Sequence, residues 1–218
     1  MRAIASTLLL ASCAASRMAP PADISSVSKV LPVSDRSRMS GAFVNEGFKL
    51  GPYTVADVDR KWDSSSELSI GRWGAGSKTT GFSFTLADGD TTLKGKCASE
   101  LKQASVLALG GKFSWGSTTI ACECRGGEDK ATLQLSNGSG VLAIGDEEYA
   151  LHPVHALAGG GEQGEPSGFR ADGDRPVGAV EVVYPGQVWL RKGLDDSMRG
   201  AVSCLFTGLM LYKAPSDD

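Results

Sequence analysis

The chain has 218 residues, 28 of them glycine, with 41% hydrophobic residues, only 7% aromatic residues and a formal net charge of −3. This composition is typical of a turn-rich, mainly β protein rather than a helical bundle, and the length suits one domain with or without a tail. No strongly basic segment occurs, which argues against nucleic acid as a partner.

Residues 1–12 read MRAIASTLLLAS. One positive charge, a short apolar core and small residues at the end predict a secretory signal peptide. The stretch Leu10-Ala11-Ser12-Cys13 resembles the lipobox of bacterial lipoproteins, in which an aliphatic residue and two small residues precede an invariant cysteine. The resemblance implies cleavage before Cys13, a diacylglyceryl group on its sulfur and a fatty acid such as palmitate on the new amino terminus.

That resemblance also implies a location. Lipoproteins of this kind remain at the inner membrane when aspartate follows the cysteine, and here the residue is Ala14. We therefore expect an exported protein anchored in the outer membrane through Cys13, facing the periplasm or the cell surface. The alternative is an ordinary secretory peptide that is cut near Ala14 or Ala15.

Residues 13–41 are rich in serine, alanine and proline and lack a sustained apolar period. Such a composition buries too little surface to offset the entropy of ordering. We expect the lipidated cysteine to be followed by a flexible tether over 13–41, and a single β-rich domain over 42–218.

The domain shows short apolar alternations separated by turn signals, which predict antiparallel strands joined mostly by hairpins. Two ADGD tetrapeptides could supply calcium ligands from Asp88 and Asp90, or from Asp172 and Asp174, but they lack the other oxygen ligands of a calcium loop and fit hairpin turns better. Residues 158–168 predict a surface loop. The twelve candidate strands are 48–58, 67–73, 80–86, 91–97, 112–117, 118–124, 131–135, 140–144, 148–154, 167–171, 176–183 and 187–192.

Four cysteines remain in the domain, and an even number in an exported chain predicts disulfides. Cys122 and Cys124 lie two residues apart, so on a strand they share a face and each is available to a different partner. We expect Cys97 to pair with one of them and Cys204 with the other.

A metal site is the weaker alternative for the same residues. Cys122 and Cys124 with His152 and His155 would offer ligands for zinc or copper. Their spacing does not match the usual paired-ligand loops, and Pro153 prevents a regular helix that would aim both histidines at one ion. We therefore predict no cofactor.

The segment 196–212 predicts a C-terminal helix, with Asp195 or Asp196 as its N-cap. Its apolar residues recur at helical spacing, and no charge occurs between Arg199 and Lys213. A helix without a charged face is a buried helix. A buried strand is the alternative structure for this segment. A membrane-spanning helix is excluded, because the thirteen residues 200–212 cover about 20 Å as a helix and the hydrocarbon core of a bilayer is about 30 Å thick. One face carries only small residues: Gly200, Ser203, Cys204, Thr207 and Gly208.

The predicted fold is mainly β, an antiparallel barrel or barrel-like sheet of about twelve strands with a buried C-terminal hydrophobic helix. This arrangement resembles the tubby-like architecture of Tubby C-terminal domains, phospholipid scramblases and LURP-one-related proteins. The resemblance implies a closed barrel around a central helix. It brings no functional motif with it, since the lysines do not form a recognisable headgroup pocket.

The sequence predicts no catalytic residue. It lacks the G-x-S-x-G, H-E-x-x-H, phosphate-loop and dinucleotide motifs, although His155 with Glu147 or Glu148 could serve acid–base chemistry. We expect Trp115 and Trp189 in the core, whereas the sequence does not assign Trp62 and Trp73 to the core or to a binding surface. The expected function is a non-enzymatic binding or scaffolding module with an unknown protein or lipid ligand. The alternatives are a lipid-binding or lipid-moving protein, and an enzyme with an unrecognised site.

Overall fold

The computed structural model describes residues 17–37, 46–61, 79–89, 91–108, 111–127 and 129–212, with the backbone alone at 61, 79–80, 100–108 and 111–118. Twelve antiparallel strands form one closed barrel in the order β1-β12-β11-β10-β9-β8-β7-β6-β5-β4-β3-β2. The predicted fold class is therefore confirmed. The elements are α1 (Ala22–Ser25), β1 (Ser28–Ser34), β2 (Phe48–Leu50), β3 (Tyr53–Lys61), β4 (Thr79–Asp88), β5 (Thr91–Ala108), β6 (Gly111–Gly126), β7 (Asp129–Ser136), β8 (Ser139–Ile144), β9 (Glu147–Val154), β10 (Gly168–Asp172), β11 (Pro176–Glu181), β12 (Gln187–Arg191) and α2 (Asp196–Leu211).

Two sets of candidates differ from the observed strands, and one candidate is not tested. The candidate 48–58 is a hairpin, because Gly51 with φ +57° turns the chain between β2 and β3. The candidates 112–117 and 118–124 form one continuous strand, β6. The candidate 67–73 lies outside the described residues.

The prediction of a flexible tether over 13–41 is wrong for residues 17–37, which belong to the folded domain. β1 closes the barrel by pairing with β12 and β2, and its Leu31 is buried in the core opposite Val188. Pro32 made this segment resemble coil, because proline is unusual inside sheets. Here it fits at the end of the β1–β12 ladder, and its carbonyl accepts the N–H of Gly51 at 3.0 Å.

The C-terminal helix α2 lies inside the barrel, between β5–β8 on one side and β11–β12 on the other. Asp195 is its N-cap and accepts the N–H of Met198 at 2.8 Å, so the helix prediction is confirmed and the rival strand is wrong. Every residue from Val202 to Leu211 is buried. The helix supplies the apolar filling of the barrel, including Leu205 and Phe206, which are fully buried.

Two disulfides fix α2 and the strands beside it. Cys97 and Cys122 face each other in register on β5 and β6, while Cys124 on β6 is bonded to Cys204 on α2 across 80 residues of chain. The predicted disulfide pairing is confirmed. The alternative metal site is wrong, because both strand sulfurs are held in disulfides and cannot act as thiolate ligands.

Gly208 provides a test of this packing. A Cβ added there would lie 2.7 Å from Cys97 Sγ and 2.8 Å from Cys122 Sγ, and the disulfide keeps both sulfurs in place. We expect Gly208→Ala to lower the free energy of unfolding by about 1–3 kcal/mol in urea titrations, as overpacking does. Gly200→Ala is the control, because its Cβ would meet only the flexible end of Leu93 at 3.3 Å. Equal effects of the two substitutions would contradict this packing.

The second disulfide is expected to contribute more stability than the first. In the chain-entropy account, a cross-link over 80 residues restrains the unfolded chain more than one over 25, by about 1 kcal/mol. We therefore expect Cys124→Ala/Cys204→Ala to shift the urea midpoint further than Cys97→Ala/Cys122→Ala. A larger shift in the Cys97→Ala/Cys122→Ala variant would contradict this expectation and show that the link between β5 and β6 contributes more stability than the link between β6 and α2.

Candidate functional site: the loop end of the barrel

The two ends of the barrel are built differently. At one end, here the turn end, the strand connections are short: 51–52, 89–90, 127–128, 145–146 and 173–175. The opposite end, here the loop end, carries the longer connections 35–47, 62–78, 155–167 and 182–186, the short connections 109–110 and 137–138, and the start of the described chain at Arg17. Binding residues concentrate on longer loops held by a rigid scaffold. The loop end is therefore the candidate functional site.

Arg17 fastens the N-terminal segment to the loop end. Its Nε donates to Glu181 Oε1 at 2.8 Å, and its Nη2 donates to Glu181 Oε2 at 2.6 Å and to Gln187 Oε1 at 2.9 Å. The N–H of Met18 also donates to Glu181 Oε1, at 2.7 Å. The Glu181 side chain is fully buried, and its hydrogen bonds raise the pKa of the Arg17 guanidinium. The charge of Glu181 is thus matched by groups from the N-terminal segment.

From Arg17 the chain crosses the outside of the barrel toward the turn end. Ile24 is buried against Trp189 and Ala179, and Asp23 forms an ion pair with Arg170 at 3.0 Å. Residues 17–27 therefore form an outer layer over β10, β11 and β12. Trp189 is buried as expected, but it lies under this outer layer rather than within the barrel.

Two arginines surround the C-terminal end of α2 at the loop end. Arg36 donates to the carbonyls of Met210 at 2.5 Å and Pro185 at 2.8 Å, and Arg60 donates to the carbonyl of Leu211 at 2.8 Å. The last turn of α2 has no basic residue of its own. The arginines therefore supply the positive charge that the negative end of a helix dipole favours.

The same arginines are themselves enclosed. Arg60 forms an ion pair with Glu46 at 2.6 Å and lies over the ring of Phe82, while Arg36 lies over the ring of Phe48. Burial lowers the pKa of Arg36 from its ordinary value, although an arginine stays charged in proteins. Both guanidinium groups contact the chain's own carbonyls and rings, and Arg60 also contacts a carboxylate, an arrangement that holds the end of the helix in place.

The histidines and the ADGD carboxylates are separated from the cysteines. His155 Nδ1 lies 3.1 Å from the carbonyl oxygen of Gln163, whereas His152 is exposed on β9. Asp172 forms an ion pair with Arg170 beside the β10–β11 turn. In the part of the chain that the structure describes, no three histidine, cysteine or acidic residues come close enough to hold a metal ion.

Other predicted residues lie elsewhere. Glu147 contacts the hydroxyl of Tyr149 at the turn end, away from His155. Cys13, Trp62, Trp73 and Asp90 lie outside the described residues. Trp115 belongs to β6, in a stretch where the structure describes the backbone.

Comparison with known proteins returned no matching family model, no matching curated protein and no matching solved structure. Among the described residues, no helix is long and apolar enough to span a bilayer.

The sequence reasoning missed Arg17, Arg36, Glu46, Arg60 and Glu181. The sequence pattern could have identified Glu181, because it is the one charged residue in the apolar run VGAVEVV, residues 177–183. A charge inside a buried strand implies a partner. The arginines gave no such signal, since they come from segments far apart in sequence.

Removing Arg17 tests its contact with Glu181. Arg17→Ala would remove the charged partner of the buried Glu181 carboxylate and leave the Met18 N–H still donating to it. We expect a loss of about 2 kcal/mol of stability, below the cost in fully buried pairs because Arg17 is half-exposed. Glu181→Gln removes the charge and should cost less. Lys192→Ala, at an exposed position, is the control.

The measurement is urea unfolding together with amide hydrogen exchange. In Arg17→Ala, the exchange rates of the amides at residues 18–25 should rise more than those of the barrel strands, because the outer layer loses its attachment. Unchanged exchange over 18–25 would contradict this role for Arg17.

Proposed function

We propose that this protein is an exported lipoprotein, held in the outer membrane by acyl chains on Cys13, whose barrel serves as a non-enzymatic binding or scaffolding module. The observation that carries the proposal is the lipobox-like stretch Leu10-Ala11-Ser12-Cys13. Two or more acyl chains give stable anchoring where a single chain gives marginal binding.

The disulfides support export. Cys97–Cys122 and Cys124–Cys204 account for all four cysteines of the domain. Disulfides form and persist in oxidising compartments such as the bacterial periplasm and are rare in the cytosol. The disulfides and the lipobox-like stretch are separate features of the chain, and both favour a location outside the inner membrane.

The architecture supports a scaffolding role more than a carrier role. α2 occupies the barrel interior, where a carrier would hold its lipid, and its residues Val202, Leu205 and Phe206 are fully buried. The arginines at the loop end and the carboxylates of Glu46 and Glu181 are paired within the chain, which supports a structural role for these groups. A closed barrel around a C-terminal helix also resembles the tubby-like architecture, but a shared fold does not specify a ligand.

Mass spectrometry of the protein purified from bacterial membranes tests the anchor. We expect a mature chain that begins at Cys13 and carries a diacylglyceryl thioether and an additional fatty acyl group. Cys13→Ala should abolish the acyl mass and move the protein out of the membrane fraction. Ser16→Ala, outside the lipobox, should leave both unchanged. A mature chain that begins after Cys13, as plain secretion would give, would refute the proposal.

A further inference from the structure

Among the described residues, the hairpin of β5 and β6 continues at the loop end past the strands beside it. β4 pairs with β5 as far as Thr79↔Glu100, and β7 pairs with β6 from Ser136↔Thr119. Beyond these pairs, residues 101–108 and 111–118 pair with each other from Leu101↔Thr118 to Ala108↔Gly111, and we name them the β5–β6 extension. Eight residue pairs give a ribbon of about 26 Å.

The extension has a composition unlike the rest of the chain. From residue 101 to 118 it contains Lys102 and Lys112 and no acidic residue, although the whole chain has a net charge of −3. In register, Ala104 pairs with Trp115 and Val106 with Phe113, so these apolar residues share one face of the ribbon, with the pair Lys102↔Ser117 on the same face nearer the barrel. The other face carries the pairs Gln103↔Gly116, Ser105↔Ser114 and Leu107↔Lys112.

The extension and the proposed anchor lie at the same end of the barrel but on opposite sides of it. Arg17 is bound to Glu181 and Gln187 at the β11–β12 hairpin, and the strand order places β5 and β6 half-way around from there. Cys13 precedes Arg17 by four residues, which span at most about 14 Å. An acylated Cys13 therefore keeps the loop end close to the bilayer.

The length of the extension and the length of the segment between Cys13 and Arg17 together indicate that the extension contacts the bilayer. At the strand tilt usual in barrels, a 26 Å ribbon projects about 20 Å along the barrel axis, which exceeds the reach of about 14 Å between Cys13 and Arg17. With the loop end toward the bilayer, the extension reaches the lipid before the barrel does. We propose that the β5–β6 extension inserts into the interfacial region of an anionic bilayer and sets the orientation of the anchored barrel.

The chemistry of the extension fits this surface. Tryptophan and phenylalanine favour the lipid interface, and lysines near an anionic leaflet gain electrostatic attraction. On the anchor side, the 155–167 connection carries the exposed acidic residues Glu162 and Glu165, which anionic lipids repel. The proposal rests on the proposed acylation of Cys13, because that attachment brings the loop end to the bilayer.

The experiment uses the full acylated protein in vesicles of phosphatidylethanolamine and phosphatidylglycerol that contain lipids brominated along the acyl chains. Bromine quenches nearby tryptophans. We expect quenching of the intrinsic fluorescence, most of which is lost in Trp115→Phe. Trp189→Phe, at a buried position under the outer layer, should leave the quenching unchanged.

A charge-reversal variant adds a second measurement. Lys102→Glu/Lys112→Glu should lower the quenching in these vesicles several-fold and have little effect in vesicles of phosphatidylcholine. Unfolding midpoints equal to the parent protein would show that the variants are folded.

The alternative occupant of the apolar face is this chain's own 62–78 segment, which precedes Thr79, the residue of β4 that pairs with Glu100 at the base of the extension. Quenching that survives Trp115→Phe and disappears in Trp62→Phe/Trp73→Phe would overturn the proposal, as would no quenching in protein whose mass shows the acyl groups. An absent acyl mass would instead refute the anchor, so the two failures are distinguishable.

Discussion

The burial of α2 is the constraint on which the rest of the fold depends. A helix of 16 residues whose second half has no polar face must be surrounded by apolar surface, and a sheet that closes on itself provides this without leaving an edge. Gly208 allows the helix to approach the Cys97–Cys122 disulfide, and Cys204 joins it covalently to β6. Helix and barrel therefore stabilise one another, and neither is complete alone.

Burying the helix also creates a polar problem at its C-terminal end, where carbonyls have no partner within the helix. Arg36, in the connection after β1, and Arg60, on β3, donate hydrogen bonds to these carbonyls, and Glu46 balances the charge of Arg60. A connection of 13 residues between β1 and β2 is what brings Arg36 and Glu46 to this point. The loop end is thus elaborate partly for structural reasons, and the turn end, where Asp195 caps the helix with its own side chain, needs no such connection.

The sequence predicted what local patterns determine and missed what distant segments supply. Period-two alternation found most strands, the spacing of apolar residues found α2, and the positions of Cys122 and Cys124 on one face gave both disulfide partners. β1 was missed because Pro32 and the surrounding serines resemble a tether. Its strand character comes from pairing with β12, more than 150 residues away. Arg17 was missed for the same reason, since its role depends on the buried Glu181, which lies 164 residues away in sequence.

The position of Arg17 changes what an anchor at Cys13 would do. A flexible tether of 28 residues would let the domain lie about 30 Å from the bilayer and rotate freely. The observed outer layer instead follows the barrel from Arg17 to Val27 and continues directly into β1. A force on the amino terminus would therefore reach the Arg17–Glu181 ion pair first, before the hydrogen bonds of β1. A barrel anchored through Cys13 would therefore have a defined side toward the lipid, and the turn end would be the surface that faces away from it.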